Sequence, residues 1–176
     1  MAAIKGTLHL ERGPWGLRRA QEAAARVLAN PKLVQMLLRD LFSDDSVLRW
    51  RAADTARRVT EKQPALLEPH ADDLIGLFSE SGEDNWRTRA HLGLVVVARI
   101  AHSRSLRIRA AGLLRPLYYD PSNVVRCTAI EGLGLLAQRE PELRPQVEPL
   151  LEEALATGTL AMQNRAEHAL AALFKK

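Results

Sequence analysis

Four five-residue segments of the chain share one pattern: a large apolar residue opens each segment and alanine closes it. The segments are 48–52, 86–90, 125–129 and 162–166, and arginine follows the apolar residue in the first three. The closing alanines, Ala52, Ala90, Ala129 and Ala166, are 38, 39 and 37 residues apart. Alanine at a fixed place lets two helices approach closely, and a period near 40 residues is typical of stacked helix pairs. The pattern therefore predicts stacked helix pairs with these alanines facing inward.

The composition favours an all-α domain. Hydrophobic residues make up 47% of the 176 residues, enough to bury a core, whereas aromatic residues make up only 5%. Valine and isoleucine occur in short groups with helical spacing instead of the alternation that is typical of strands. The net charge of +4 is mild. It admits an acidic partner without requiring one, because nucleic-acid-binding proteins usually concentrate their positive charge on one face.

The segment 120–129 predicts a turn that leads into an amphipathic helix. Asp120 is expected to cap the helix and Pro121 to occupy its first turn, where a missing N–H costs nothing. Val125 and Ala129 then start an apolar stripe. The segment resembles the start of the second helix of a HEAT repeat, of the armadillo-like helical type. The resemblance implies a right-handed α-solenoid of about four HEAT-like helical pairs plus an N-terminal capping helix.

The chain is interpreted as one domain of six consecutive segments. They are an irregular lead (1–13), a capping helix (14–31) and four repeats (32–69, 70–103, 104–140 and 141–176). Helices are predicted over 15–29, 32–42, 47–62, 72–80, 85–102, 106–119, 120–139, 145–156 and 160–174. The helix over 85–102 is apolar on most of its circumference and is expected at the buried centre, while Pro116 is expected to bend the helix that contains it.

Two sets of arginines flank the apolar stripe. Arg49, Arg87 and Arg126 are predicted to pair with aspartates of the preceding turns, which are Asp44 or Asp45, Asp84 and Asp120. Arg51, Arg89 and Arg165 lie on the other flank, where the turns supply no equivalent acid. The second set is therefore predicted to face a partner, and guanidinium groups in such a row would also suit phosphate.

Second helices line the concave surface of HEAT proteins, so the resemblance assigns the face opposite the alanines to partner binding. The turn of about 100° per residue places Trp50, Thr88, Val95 and Cys127 on that face. Together with the flanking arginines, the predicted partner-binding residues are Trp50, Arg51, Arg57, Arg89, Arg99, Glu131, Arg165 and His168.

The sequence offers little for catalysis or metal binding. His91 and His102 would lie roughly 16 Å apart along one helix, too far to share a metal. Gly132 and Gly134 fall within a helix, where packing explains them better than a phosphate-binding loop. No catalytic residue, metal site or cofactor is predicted, so an enzyme is the less favoured interpretation.

The single Cys127 cannot form an intrachain disulfide, which favours a reducing compartment. The longest apolar run, 92–98, is too short to span a bilayer. The predicted location is the cytoplasm, without membrane insertion.

The leading hypothesis is a non-enzymatic binding scaffold that recognises a protein or peptide on its concave face. The alternative is a nucleic-acid-binding HEAT protein, similar to the HEAT-like alkylpurine DNA glycosylases, to which Trp50, Trp86 and the arginines bear a loose resemblance. No aspartate of this chain matches the catalytic one of those enzymes. A HEAT protein acting on a tetrapyrrole carrier is a third hypothesis, based on fold analogy alone.

Overall fold

A computed structural model of the chain describes residues 8, 10, 13–82 and 85–174. These residues form nine α-helices and no β-strand, which confirms the predicted all-α class. The helices are α1 (Leu17–Ala29), α2 (Val34–Leu41), α3 (Ser46–Lys62), α4 (Ala71–Glu80), α5 (Trp86–Leu94), α6 (Arg104–Leu114), α7 (Asn123–Arg139), α8 (Arg144–Thr157) and α9 (Leu160–Phe174). Short 3₁₀ turns with proline near their start lead into α2, α4 and α8.

The helices pack in two groups. The odd-numbered helices pack in chain order, α1 against α3, α3 against α5, α5 against α7 and α7 against α9. The even-numbered helices pack on the odd-numbered ones, α2 on α3, α4 on α5, α6 on α7, and α8 on both α7 and α9. Each odd-numbered helix between two others therefore contacts at least three helices.

The predicted register of the inward alanines is confirmed. Ala52, Ala129 and Ala166 are 0% exposed, and Ala90 is 1% exposed. The large apolar residues that open the segments are buried less consistently than the alanines that close them. Val125 is fully buried, but Trp86, predicted to face inward, is 36% exposed. Trp86 is the first residue of α5, and its ring packs against the guanidinium group of Arg87 instead of the core.

The turns before the odd-numbered helices are only partly as predicted. Asp45 caps α3, because its carboxylate accepts hydrogen bonds from the amides of Val47 and Leu48. Asp120 does not cap α7, which begins at Asn123. Its Oδ1 accepts from the Ser122 amide at 2.8 Å, so the aspartate closes the turn two residues before the helix. The prediction that Asp120 is the N-cap is therefore wrong.

The helix predicted over 85–102 is buried but not regular. Its α-helical part ends at Leu94 and continues as a wider π-helical turn over Val95–Arg99. Val95, Val96 and Val97 are all 0% exposed, which confirms that this segment lies at the buried centre. The prediction that Val95 lies on the partner-binding face is wrong, because the π-turn packs between α3 and α7 and Val95 is enclosed there.

The structure differs from the sequence prediction at Pro116, and it adds a feature to the prediction for residues 1–13. The helix containing Pro116 does not continue with a bend, because α6 ends at Leu114 and tightens into a 3₁₀ turn over Arg115–Tyr119. The lead over 1–13 was predicted to be irregular. Its described residues Leu8 and Leu10 are 4% and 0% exposed and join the core.

Candidate functional site

Arg51, predicted to face a partner, holds the N-terminal segment. Its Nη1 donates to the Leu10 carbonyl at 2.7 Å and its Nη2 donates to the Gly13 carbonyl at 3.1 Å. The guanidinium carbon also lies 5.7 Å and 5.8 Å from the ring centres of Trp15 and Trp50. Because both of its terminal nitrogens donate to backbone carbonyls, Arg51 has an internal structural role.

Arg89 lies in a buried ion pair. Its Nη1 is 2.9 Å from Asp120 Oδ2, with side-chain exposures of 12% and 3% for Arg89 and Asp120. The atoms form a charge–charge contact without the alignment of a hydrogen bond. Asp120 was predicted to pair with Arg126, but the packing of α5 against α7 brings Arg89 to it instead. Arg89 therefore connects α5 to the turn before α7.

Arg57 and Arg99 also bind within the molecule. Arg57 and Arg58 both contact Asp54 Oδ1, at 3.2 Å and 3.1 Å, and Asp54 is 6% exposed. Arg99 donates to the carbonyl of Arg57 and thereby connects the end of α5 to α3. Arg139 donates similarly from α7 to the Ala98 carbonyl at 3.3 Å. Arg99, just after α5, and Arg139, at the end of α7, thus each bind a backbone carbonyl of the segment that precedes their own in the packing order.

Arg49 does not form its predicted pair with Asp44 or Asp45, and the pair predicted for Arg87 lies partly outside the described residues. Arg49 donates to the Ser43 carbonyl at 3.2 Å, because Asp45 is engaged in capping α3. Asp84, the predicted partner of Arg87, lies outside the described residues. The Arg87 guanidinium carbon lies 5.6 Å and 4.6 Å from the ring centres of Trp50 and Trp86. Trp50 is half-buried, and its ring lies close to the guanidinium groups of both Arg51 and Arg87.

The remaining predicted residues, Glu131, Arg165 and His168, come together in a groove between α7 and α9. The cavity measures about 410 Å³. Besides these three side chains, it is lined by Leu135, Gln138, Ala169 and Ala172. We refer to the cavity bounded by these seven residues as the α7–α9 groove.

The α7–α9 groove combines an apolar floor with a charged rim. Leu135, Ala169 and Ala172 provide the apolar surface. Arg165 Nε lies 3.4 Å from Glu131 Oε2, and the two side chains remain 42% and 37% exposed. Such a weak, half-exposed pair contributes little to stability, so both charges are available to a ligand.

The narrow crossing of α7 and α9 beside the groove depends on glycine. A Cβ at Gly134 would lie 2.6 Å from the Cβ of Ala169, closer than two carbon atoms can pack. The prediction that Gly134 serves helix packing is therefore confirmed. The groove residues Ala169 and Ala172 were not predicted from the sequence, although their spacing of three residues places them on one face of α9.

The side chains of Cys127 and His91 lack the ionisation state that a reactive thiolate or a charged imidazole would need. Burial raises the pKa of the Cys127 thiol, which favours its protonated form. Burial also lowers the pKa of His91 to about 4, more than the nearby Asp54 raises it, so the imidazole is neutral at pH 7. Cys127 and Thr88 are 4% and 0% exposed, and their predicted position on the partner-binding face is wrong, because neighbouring odd-numbered helices cover them.

Within the described part of the chain, no group of three or more His, Cys, Asp or Glu side chains could hold a metal ion. None of the described helices combines the length and the apolarity needed to cross a membrane. Comparisons with models of protein families, with curated proteins and with solved structures found no match. The α7–α9 groove and the contacts of the arginines are therefore the features of the molecule that bear on its function.

Proposed function

We propose that the protein is a non-enzymatic, HEAT-like binding scaffold that holds a peptide segment of a protein partner in the α7–α9 groove. The successive packing of α1, α3, α5, α7 and α9 supports an α-solenoid in which each helix pair contacts its neighbours. Its right-handed sense is the one that the resemblance to HEAT repeats implies. The cytoplasmic location expected from the single cysteine is part of the same proposal.

The observation that carries the proposal is the composition of the α7–α9 groove. Its volume of about 410 Å³ is in the range of ligand-binding cavities. An apolar floor can bury an apolar side chain of the partner, while Glu131 and Arg165 can each pair with a charge of opposite sign. An extended or helical peptide offers these groups together, whereas a nucleic acid offers only negative charge along its backbone.

The arginine positions favour a peptide over a nucleic acid. A row of free guanidinium groups was the sequence feature that suggested phosphate binding. Arg51 binds backbone carbonyls and Arg89 binds Asp120, so neither presents its charge to a ligand. Arg165 is the half-exposed member of the row, and it lies beside the acidic Glu131.

The proposal is tested by selecting peptides from a random displayed library against the wild-type protein. Peptides that bind a Leu135→Glu variant are removed by counter-selection, because this substitution places a charge on the groove floor. Selected peptides should bind the wild type at least about tenfold more tightly than Leu135→Glu, a difference of about 1.4 kcal/mol. Fluorescence anisotropy with labelled peptides measures both affinities.

A matched control is Leu155→Glu, the same substitution on α8, where Leu155 is 42% exposed and lies outside the groove. This variant should bind the selected peptides as the wild type does. Equal binding by all three proteins would contradict the proposal.

Labelled duplex and single-stranded DNA are titrated at two salt concentrations to test the alternative. Tight binding that weakens steeply with salt and is lost in Arg165→Ala would establish nucleic acid as the partner instead.

A further inference from the structure

Arg126 is a half-buried arginine without a strong partner. Its only hydrogen bond among the described residues runs from Nη2 to Asn123 Oδ1 at 3.5 Å, and its buried Nε has no acceptor. Several half-buried arginines elsewhere have an oxygen atom within 3.2 Å, among them Arg49, Arg57, Arg58, Arg89 and Arg107. Burying guanidinium donors without acceptors is costly, so an acceptor from outside the protein would relieve this cost.

Arg126 lines a cavity of about 260 Å³ between the start of α7, the end of α8 and the start of α9. Tyr118 and Met162, each 4% exposed, give the cavity an apolar surface. Tyr119 is 68% exposed, and its ring packs edge-to-face on Tyr118 with 4.9 Å between the ring centres. The cavity lies apart from the α7–α9 groove and shares none of its lining residues.

The polar groups of the cavity suit an anionic ligand. The two threonine hydroxyls that line it donate elsewhere, Thr157 to the Glu153 carbonyl and Thr159 to Asn123 Oδ1. Glu153 is the acidic side chain that lines the same cavity, and it forms no ion pair with Arg126. Burial, followed by the nearby charge of Glu153, raises the pKa of Tyr118, so its hydroxyl remains a potential donor.

We propose that this cavity binds a carboxylate carried on a small apolar body, with Arg126 as the residue that pairs with the acid. A guanidinium group matches a carboxylate in shape and hydrogen-bonding geometry. Glu153, which also lines the cavity, would repel a doubly charged phosphate more strongly than a singly charged carboxylate. The rings of Tyr118 and Tyr119 and the side chain of Met162 provide the surface for the apolar body.

The probes are phenylacetate, its neutral analogue phenylacetamide and inorganic phosphate, each titrated into the full chain and followed by NMR chemical shifts. Phenylacetate should bind at least about tenfold more tightly than phenylacetamide, because the charged hydrogen bonds to Arg126 are lost in the amide. It should also bind more tightly than phosphate. Equal binding of the acid and the amide, or tighter binding of phosphate, would overturn the proposal.

Two substitutions should change the affinity in opposite directions, which loss of folding cannot mimic. Arg126→Gln should weaken phenylacetate binding at least about tenfold. Glu153→Gln removes the repelling charge from an exposed position and should tighten binding roughly twofold to fivefold. If Arg126→Gln proves too unstable to titrate, unchanged or weaker binding by Glu153→Gln still rejects the inference.

Arg115→Gln is the matched control. Arg115 is exposed, donates to Gln146 Oε1 at 2.6 Å and does not line the cavity. This variant should bind phenylacetate as the wild type does, and a loss as large as that of Arg126→Gln would reject a specific role for Arg126.

The source of the acid is distinguished by short peptides that end in phenylalanine, with the C-terminus either free or amidated. Tighter binding of the free-acid peptide than of both its amide and phenylacetate identifies a peptide chain end as the ligand. Binding of phenylacetate without the peptide identifies a small free acid. Both outcomes support a carboxylate site, whereas binding of neither acid overturns it.

Discussion

At the scale of single residues, many charged side chains of this protein bind groups inside the molecule and thereby stabilise its fold. Asp54 on α3 shows this most clearly, since it contacts Arg57, Arg58 and the indole N–H of Trp15, which donates at 3.1 Å. Asp54 is therefore a buried carboxylate with several donors, which is the arrangement that offsets the cost of burying a charge. Substitutions of such residues affect stability before they affect binding.

Removal of Arg89 is expected to destabilise the protein strongly. Arg89→Ala leaves the carboxylate of Asp120 buried without a cation beside it, with only the hydrogen bond from the Ser122 amide, and breaking a buried pair in this way costs about 3–5 kcal/mol. Urea denaturation measures the loss. The control, Arg18→Ala, removes an exposed pair with Glu22 and should leave the midpoint unchanged. A small effect of Arg89→Ala would mean that the pair is solvated in solution.

The neutral state of His91 makes stability depend on pH. Burial lowers its pKa from 6.5 to about 4. The unfolded chain therefore takes up a proton below pH 6.5 that the folded chain does not bind until about pH 4. The stabilisation is present above pH 6.5 and is lost as the pH falls towards 4, by up to about 3 kcal/mol. His91→Gln should reduce this slope in denaturation between pH 7 and 4, and an unchanged slope would exclude His91 as its source.

At the scale of helices, the crossing of α7 and α9 is limited by glycine. Gly134→Ala brings a methyl group against Ala169, and such overpacking costs about 1–3 kcal/mol. The control is Gly112→Ala on α6, where a methyl group meets no atom within 4 Å. That change should stabilise the protein by about 0.5–1 kcal/mol. Thermal melts that rank the two variants in the opposite order would contradict the packing of α7 on α9.

Most helices could be predicted from the sequence because their signals are local. The apolar period and the residues that end a helix place α9 at its predicted residues, and the four alanines identify the buried face. The π-turn after Leu94 could not be predicted, because it depends on how the valines pack between α3 and α7.

The candidate site was predictable only in part, since the partners of arginines depend on which turn lies beside which helix. The sequence favours Arg126 as the partner of Asp120 because the two residues are close in the chain, but the packing of α5 on α7 gives Asp120 to Arg89. Arg126 lines a cavity instead. The groove residues Glu131, Arg165 and His168 were predicted from helical geometry together with the resemblance to HEAT repeats, while their apolar floor was not.

At the scale of the whole molecule, two leucines of the N-terminal segment belong to the core. Leu8 and Leu10 are buried, and Arg51 on α3 binds the carbonyls of Leu10 and Gly13. In an architecture where each helix pair contacts only its neighbours, removal of one end should affect the nearest helices most. Helix α9 is the last helix in the packing order that begins at α1, so it serves as the reference for a helix that the removal should not affect.

Deletion of residues 1–13 is therefore expected to lower stability locally. Burial of a leucine contributes about 1.5–3 kcal/mol, so the loss of Leu8 and Leu10, together with the contacts of Arg51, should lower the free energy of unfolding by several kcal/mol. Hydrogen exchange resolved along the chain should accelerate in α1 and α3, while α9 keeps its protection. Arg51→Ala should produce a smaller change in the same helices. Equal acceleration in α9 would show that the molecule unfolds as one cooperative unit, contrary to the neighbour-by-neighbour coupling of a solenoid.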